Sequence, residues 1–114
     1  LGLAYYSLGH YSQSENSFYN ATILNDNDSD FWLGLGLAQN QSGKPEEALN
    51  SFDKSIMHNP HNIDAQYNRG LALTALNHTQ EALTAFKRVL ELAPNDSFAI
   101  YALNLTQASI DNRA

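Results

Sequence analysis

The sequence predicts an all-α protein made of stacked helical repeats, and three observations support this fold class. First, the segment Leu1-Gly2-Leu3-Ala4 returns every 34 residues, as Leu35-Gly36-Leu37-Ala38, Arg69-Gly70-Leu71-Ala72 and, more loosely, Leu103-Asn104-Leu105-Thr106. Second, apolar residues recur at helical spacing around these copies. Third, short polar or proline-containing segments separate them. A fixed period of this length is typical of a repeat protein in which each unit packs against its neighbours.

The apolar spacing and the breaker residues predict about seven helices, with antiparallel neighbours joined by short loops. Residues 1–8 should end a first helix, and Gly9-His10 should form the turn that follows. The remaining helices are expected at residues 11–24, 29 to about 42, 45 onward, 63–76, 79–92 and 97–110. No strand signal lies between them, and no linker divides the chain.

Start signals mark two of these helices. Asp28, Ser29 or Asp30 can accept hydrogen bonds from the N–H groups at the start of the following helix. After the stop at Gly43-Lys44, Pro45 stands in a first turn, where its missing N–H has no consequence.

Glycine recurs at one position of the repeat, as Gly2, Gly36 and Gly70. A glycine inside a helix costs about 1 kcal/mol relative to alanine, so three in register suggest a close approach between paired helices. Small residues would lie opposite them in the second helix: Ser14, Ala48 and Ala82. Large residues four positions later would fill the space between successive pairs: Phe18, Phe52 and Phe86.

These residues resemble the tetratricopeptide repeat family, whose pattern is W-x2-L-G-x2-Y, then A-x3-F, then P. The second repeat matches this pattern at six positions: Trp32, Leu35, Gly36, Ala48, Phe52 and Pro60. The third repeat matches it at Gly70, Ala82, Phe86 and Pro94, and the first at Leu1, Gly2, Tyr5 and Phe18.

The chain departs from the family pattern at several positions. Arg69 replaces leucine, Asn104 glycine, Ser14 alanine, Gln39 and Leu73 tyrosine, and Asp26 proline. Because Arg69 brings a charge to a packing stripe, we expect it to reach solvent or to pair with a nearby acid.

The resemblance covers essentially the whole chain and implies a right-handed superhelical solenoid with a concave groove. It divides the chain into a partial repeat at 1–28, repeats at 29–62 and 63–96, and a terminal helix or partial repeat at 97–114. Because Leu1 falls inside a repeat, we expect the chain to be a fragment of a longer protein.

Composition argues against several classes of function. Apolar residues make up 43% of the 114 residues, which is enough for a core, and the net charge is −6. The six Lys and Arg are scattered, so nucleic acid is not an expected partner. No cysteine is present to form a disulfide or a thiolate ligand, and no apolar run reaches the roughly 20 residues that span a bilayer.

Two local motifs could hold a ligand, but each fits a structural role better. Asp26, Asp28 and Asp30 alternate as in a calcium loop, yet Phe31 and Leu37 stand where an EF-hand needs a glycine and a carboxylate. The segment Gly34-Leu35-Gly36 follows no strand and lacks the third glycine of a dinucleotide-binding fingerprint.

Signals for metal binding and catalysis are weak. His58 and His61 lie near one turn, but two histidines without a fixed carboxylate rarely form a metal site. No set of Ser, His and Asp suggests a catalytic triad. We therefore expect no metal, no cofactor and no enzymatic activity.

Asn-x-Ser/Thr sequons are more frequent than composition predicts, since about two would occur by chance. Six asparagines begin one: Asn20, Asn27, Asn40, Asn77, Asn95 and Asn104. Asn104 takes a close-packing position of the repeat and is a poor candidate for a glycan. The compartment stays open, because the cytoplasm is the default and the sequon excess favours an extracytoplasmic location.

The resemblance implies that one face of the first helix of each pair lines the groove. We call these positions the groove stripe and expect the following residues to contact a partner: Leu3, Tyr6, Asp30, Leu33, Leu37, Asn40, Gln41, Asp64, Tyr67, Asn68, Leu71, Tyr101 and Leu105. The same stripe also includes Ser7, Gly34, Thr74, Ala75, Phe98 and Ser109. Leu3, Leu37, Leu71 and Leu105 would form a ladder along the floor, unless some of them pack between repeats.

The predicted function is a protein-interaction scaffold that binds a peptide or a helix of a partner in this groove. The stripe carries no Lys or Arg, so the clamping of acidic chaperone tails seen in the family should not be carried over. An apolar or basic segment is expected instead. Replacing Tyr67 and Leu71 with charged residues should abolish binding and leave the helices intact. The alternative is self-assembly, in which the terminal repeats stack end to end and form a homo-oligomer.

Overall fold

The computed structural model of the protein describes residues 11–113, and these form six α-helices with no β-strand among them. The bounds are α1 Tyr11–Leu24, α2 Ser29–Gln41, α3 Pro45–His58, α4 Ile63–Ala75, α5 Thr79–Leu92 and α6 Ser97–Arg113. The helix end expected at residues 1–8 and the turn after it lie outside the described residues. The all-α prediction is confirmed, and the main difference in bounds is that α6 continues past Ile110.

The first helix of each pair, α2, α4 and α6, begins after a residue whose side chain caps the helix N-terminus. Asp28 Oδ1 accepts hydrogen bonds from the N–H groups of Asp30 at 2.9 Å and Phe31 at 3.3 Å, which decides among the three residues proposed to cap α2. The same position of the repeat caps α4 with Asn62 and α6 with Asp96. The register of the repeat therefore continues through all three helices.

The helices stack in a row as an antiparallel solenoid. Each of α1 to α5 packs against the next helix in the chain, and α2 also contacts α4 directly. The described part of the molecule is elongated, with extents of 44 × 25 × 21 Å. Since α2 and α4 touch, the first helices of successive pairs lie along one side, and this side carries the groove stripe.

Phenylalanine rings fill the space that the glycines leave and also reach the next helix pair, as predicted. A Cβ atom at Gly36 would come 2.5 Å from Cε1 of Phe52, and one at Gly70 equally close to Phe86. Each of these two rings therefore packs on the glycine of its own helix pair. Each also shares a core cluster with the next pair, Phe52 with Ala72 and Phe86 with Ala102. Phe18 reaches the next repeat as well, where its ring lies against Gly34.

Arg69 forms an ion pair, as expected for a charge on a packing stripe. Its Nε atom lies 2.6 Å from Oδ1 of Asp53 on α3, and its side chain is 26% exposed. The equivalent residue one repeat earlier, Leu35, is buried. The guanidinium group thus links α4 to the preceding repeat at the edge of the core.

Gln39 and Leu73, which stand where the family pattern has tyrosine, have different partners on the second helix of their pair. Gln39 is buried, and its Oε1 accepts a hydrogen bond of 2.6 Å from the Ser51 hydroxyl. In the next repeat the equivalent residues are Leu73 and Ala85, both buried. One structural position is therefore filled by a polar pair in one repeat and by an apolar pair in the next.

Candidate functional site

The predicted groove residues that the structure describes lie on α2, α4 and α6, the first helices of their pairs. Leu3, Tyr6 and Ser7 lie outside the described residues. The remaining positions differ in exposure from one helix to the next.

On α2 the two leucines of the stripe take part in the core. Leu33 and Leu37 are half-buried and pack against the cluster formed by Ala48, Phe52 and Ala72. The apolar side chains of the stripe on α2 are therefore only partly exposed to solvent. Its polar residues are more accessible, since Asp30 and Gln41 are exposed and Asn40 is half-buried.

Gly34 does not belong to the accessible stripe, contrary to the sequence prediction. It is buried, and the atoms nearest to a Cβ at this position would be those of the Phe18 ring. The helical period places it beside Leu33 and Leu37, but α1 covers this edge of α2. Its role is to admit the Phe18 ring.

On α4 the stripe contains a half-buried residue, Tyr67, followed one turn later by an exposed one, Leu71. Tyr67 is half-buried between two rings, with centroid distances of 5.8 Å to Phe86 and 6.5 Å to Phe98. Leu71, one turn later, is 36% exposed. Asn68 donates a hydrogen bond of 2.8 Å from its side-chain amide to the backbone carbonyl of Asp64.

On α6 the large apolar residues of the stripe are widely exposed. Phe98 is 72% exposed, Tyr101 67% and Leu105 55%. In the repeat register Tyr101 and Leu105 are equivalent to Tyr67 and Leu71. Exposed apolar area on the stripe therefore increases from α2 to α6.

Two faces of α6 differ in polarity. The face formed by Ile100, Asn104 and Gln107, here called the end face, is more polar than the groove face formed by Phe98, Tyr101 and Leu105. Ile100, Asn104 and Gln107 are equivalent in register to three α4 residues that are buried: Gln66, Gly70 and Leu73. Ile100 is 42% exposed, and both amide residues are exposed. The exposed aromatic side chains of α6 thus belong to the groove face.

A cavity of about 360 Å³ lies between the starts of α4 and α6. We call it the α4–α6 cavity, and its lining residues are Ile63, Asp64, Tyr67, Asn68, Asp96 and Phe98. Three of the predicted partner-binding residues meet here: Asp64, Tyr67 and Asn68. Sequence reasoning did not include the other lining residues Ile63 and Asp96 in the groove stripe, although the equivalence of Asp96 to the caps Asp28 and Asn62 places it at the start of α6.

A second, smaller space of about 140 Å³ lies at the other end of the same two helices. Its lining includes three stripe residues, Thr74, Leu105 and Ser109. The other lining residues are Thr106, Asn77 in the turn between α4 and α5, and Thr79 at the start of α5. The stripe thus carries a recess near each end of the α4–α6 interval.

Charge is distributed unevenly between the stripe and the rest of the surface. Three carboxylates border the stripe, at Asp30, Asp64 and Asp96. The basic side chains that the structure describes lie elsewhere. Three of them form ion pairs: Lys44 with Glu15, Arg69 with Asp53, and Arg88 with Glu91. Lys54 lies 4.5 Å from the Trp32 ring centroid, and Lys87 is exposed on α5. The groove stripe is therefore apolar and acidic over residues 11–113.

The histidines and the sequon asparagines singled out in the sequence lie mostly at exposed positions. His58 and His61 are exposed, and no group of three or more His, Asp or Glu within residues 11–113 is arranged to hold a metal ion. No helix in this range is long and apolar enough to cross a membrane. The sequon asparagines are exposed except the half-buried Asn40, and Asn104 is accessible on α6 because no described helix covers that face.

Comparison with known proteins identifies the repeat and the fold. Two sequence-family models, both described as tetratricopeptide repeat, match residues 39–107 and 1–56. No curated protein sequence matches the chain significantly.

Solved structures resemble this fold along nearly the whole chain. The first TPR of Spaghetti (RPAP3) bound to the HSP90 peptide SRMEEVD aligns with a TM-score of 0.95 at 23% identity, covering 96% of this chain and 87% of the other. The Arabidopsis OM64 TPR domain gives 0.92 at 22%, covering 95% and 89%. The Yersinia enterocolitica type III secretion chaperone SycD in complex with a peptide of the translocator YopD gives 0.90 at 20%, covering 96% and 88%.

Proposed function

We propose, since the chain belongs to the tetratricopeptide repeat family, that it is a scaffold that binds a segment of a partner protein along its groove stripe. One observation carries this proposal. Leu71, Tyr101 and Leu105 are exposed apolar residues on neighbouring first helices, aligned by the repeat register. Contiguous exposed apolar surface on a protein usually marks an interaction site.

Binding would gain free energy mainly from covering these side chains. Apolar surface removed from water contributes about 25 cal/mol per Å², and aromatic residues are enriched at the centre of interfaces. Asn40 and Asn68 would supply hydrogen-bonding groups that fix the register of the bound segment. In this proposal the repeats at 29–62 and 63–96 each provide a full helix pair, residues 97–114 provide a further first helix, and residues 1–28 form a partial repeat.

The similar proteins support a peptide as the kind of partner. The Spaghetti domain holds an HSP90 peptide and SycD holds a YopD peptide, both on this fold. The HSP90 peptide SRMEEVD has two Glu and one Asp against a single Arg. Because the groove stripe here carries carboxylates and no described Lys or Arg, an apolar or basic segment is the better match. We propose that the chain acts by binding, without catalysis.

Self-assembly by end-to-end stacking has weaker support as an alternative. The end face of α6 exposes Asn104 and Gln107, whereas Tyr101 and Leu105 belong to the groove face. An interface between copies through that end would bury two amide side chains, and these would need hydrogen-bond partners across it. Light scattering over a concentration series tests this alternative directly: a constant monomer mass excludes it.

The groove proposal is tested with the double variant Leu71→Glu/Tyr101→Glu. Tyr67 is a poor choice for this experiment because it packs on Phe86, so a charge there would also weaken the core. The matched control is Ile23→Glu/Met57→Glu, which adds the same charge at exposed positions of α1 and α3. Proteins that co-purify with the wild type and the control, but not with the groove variant, are the expected partners. Equal recovery with both variants would contradict the proposal.

A further inference from the structure

The α4–α6 cavity differs in character from the equivalent interval one repeat earlier. Between α2 and α4, the residues equivalent to Tyr67 and Phe98 are Leu33 and Asp64, and the residue equivalent to Asp96 is Asn62. The later interval therefore has two aromatic rings that the earlier one lacks. Each interval has two carboxylates, Asp30 and Asp64 in the earlier one and Asp64 and Asp96 in the later one.

The aromatic part of this cavity is accessible and structurally supported. Tyr67 is held from below by the buried ring of Phe86, and it lies 6.5 Å from Phe98 at an interplanar angle of 58°. Phe98 is 72% exposed, so most of its ring is open to a ligand. Two tilted rings of this kind form a corner against which a flat, positively charged group can stack.

The polar part of the cavity consists of the carboxylates of Asp64 and Asp96 and the side-chain amide of Asn68. Asp64 is exposed on the first turn of α4. Asp96 accepts a hydrogen bond from the N–H of Ala99 at 3.1 Å through Oδ1, and its second carboxylate oxygen remains available to a ligand. No basic side chain lines the cavity. A positive group entering it would meet two carboxylates without a competing cation.

We propose that the α4–α6 cavity binds the guanidinium group of an arginine in the partner segment, a refinement that rests on the groove function proposed above. The planar guanidinium stacks on aromatic faces and donates several hydrogen bonds in a fixed fork, whereas a lysine ammonium is a compact and more strongly hydrated charge. Asp64 and Asp96 accept hydrogen bonds from the guanidinium, Phe98 and Tyr67 contact its face, and Ile63 packs on the methylene groups of the side chain. Neighbouring apolar residues of the segment cover Leu71 and Tyr101.

Short synthetic peptides test this proposal on the intact chain. The probes are acetyl-Ala-Leu-Arg-Leu-Ala-amide and the same peptide with citrulline, a neutral group of nearly the same shape, or with lysine in place of arginine. Amide chemical shifts in ¹⁵N-labelled protein report both the location and the affinity of binding. We expect the arginine peptide to shift the amides of Ile63, Asp64 and Phe98, and the citrulline and lysine peptides to bind about tenfold and about threefold more weakly. Raising the salt to about 0.5 M should remove most of the difference between arginine and citrulline.

Two carboxylate variants provide the matched comparison. Asp64→Asn/Asp96→Asn removes both charges of the cavity and keeps an N-cap on α6, since Asn62 caps α4 at the equivalent position. Glu46→Gln/Glu47→Gln changes the net charge by the same amount at exposed positions of α3, outside the groove stripe. We expect the first variant to bind the arginine peptide about tenfold more weakly and the second to retain most of the affinity.

The outcomes separate this proposal from the broader one. Equal affinity of the arginine and citrulline peptides, with shifts on α4 and α6, would overturn the guanidinium site and leave the groove function standing. Equal affinity for lysine and arginine would overturn the assignment to arginine. Shifts confined to α1, α3 or α5, or no shifts with any peptide, would overturn both proposals.

Discussion

The ring of Phe52 lies so close to Gly36 that a Cβ atom there would come within 2.5 Å of the ring's Cε1 atom. Phe52 is fully buried, so the ring has no open space into which it can move. The same contact recurs between Gly70 and Phe86. Glycine is therefore required at this position of the repeat by the neighbouring ring.

This contact predicts that Gly36→Ala and Gly70→Ala destabilise the protein. Alanine gains about 1 kcal/mol of helix propensity, but forcing a methyl group into a packed core costs about 1–3 kcal/mol, so we expect a net loss of up to about 2 kcal/mol. Urea denaturation followed by circular dichroism measures the change in the free energy of unfolding. Asn104→Ala is the control, because this exposed residue holds the same repeat position on α6, and we expect it to be neutral or slightly stabilising. A stabilising Gly36→Ala would show that the ring is not confined.

The buried hydrogen bond between Gln39 and Ser51 predicts a non-additive pair of substitutions. Gln39→Leu alone, or Ser51→Ala alone, leaves one buried polar group without its partner and should cost about 1–3 kcal/mol. The double variant installs the Leu73 and Ala85 pair of the next repeat and should be close to the wild type in stability. A double-mutant cycle in urea measures the coupling. Additive costs would mean that the hydrogen bond is not the source of the effect.

The Arg69–Asp53 ion pair is expected to contribute little. Both side chains are partly exposed, at 26% and 51%, so solvent screens the interaction and a coupling of about 0.5 kcal/mol is the expected size. Arg69→Ala, Asp53→Ala and the double variant give this coupling in a double-mutant cycle. It should decrease in about 1 M salt, where the Debye length falls to roughly 3 Å. A coupling that does not respond to salt would indicate packing by the arginine stem.

The turn between α4 and α5 predicts a specific preference at Asn77. Its backbone φ is 62°, in the left-handed region, and the equivalent residue one repeat earlier is Gly43 with φ 80°. Asn77→Gly should keep or slightly raise stability, whereas Asn77→Ala should lower it by about 1 kcal/mol, because a Cβ without a local hydrogen-bonding group is disfavoured there. Thermal unfolding distinguishes the two variants. Equal melting temperatures would mean that the turn adopts another conformation in solution.

Local sequence signals predicted most of the architecture. The 34-residue period, the helical spacing and the capping residues depend on near neighbours in the chain, so helices α1 and α5 were predicted with their observed bounds. The repeat register also placed the groove stripe on α2, α4 and α6. These features follow from backbone preferences and periodicity, and both can be read without knowledge of distant contacts.

Contacts between helices decided the features that periodicity leaves open. Only the fold assigns Asp53 as the partner of Arg69 and Ser51 as the partner of Gln39, because each pair joins two different helices. Gly34 and Leu71 are both stripe positions in the sequence, yet α1 covers the first, and the second is exposed. The sequence by itself determined the repeat, the helices and the stripe. The packing of neighbouring helices, which buries some positions of a periodic pattern and leaves others in solvent, decided which parts of that stripe are exposed.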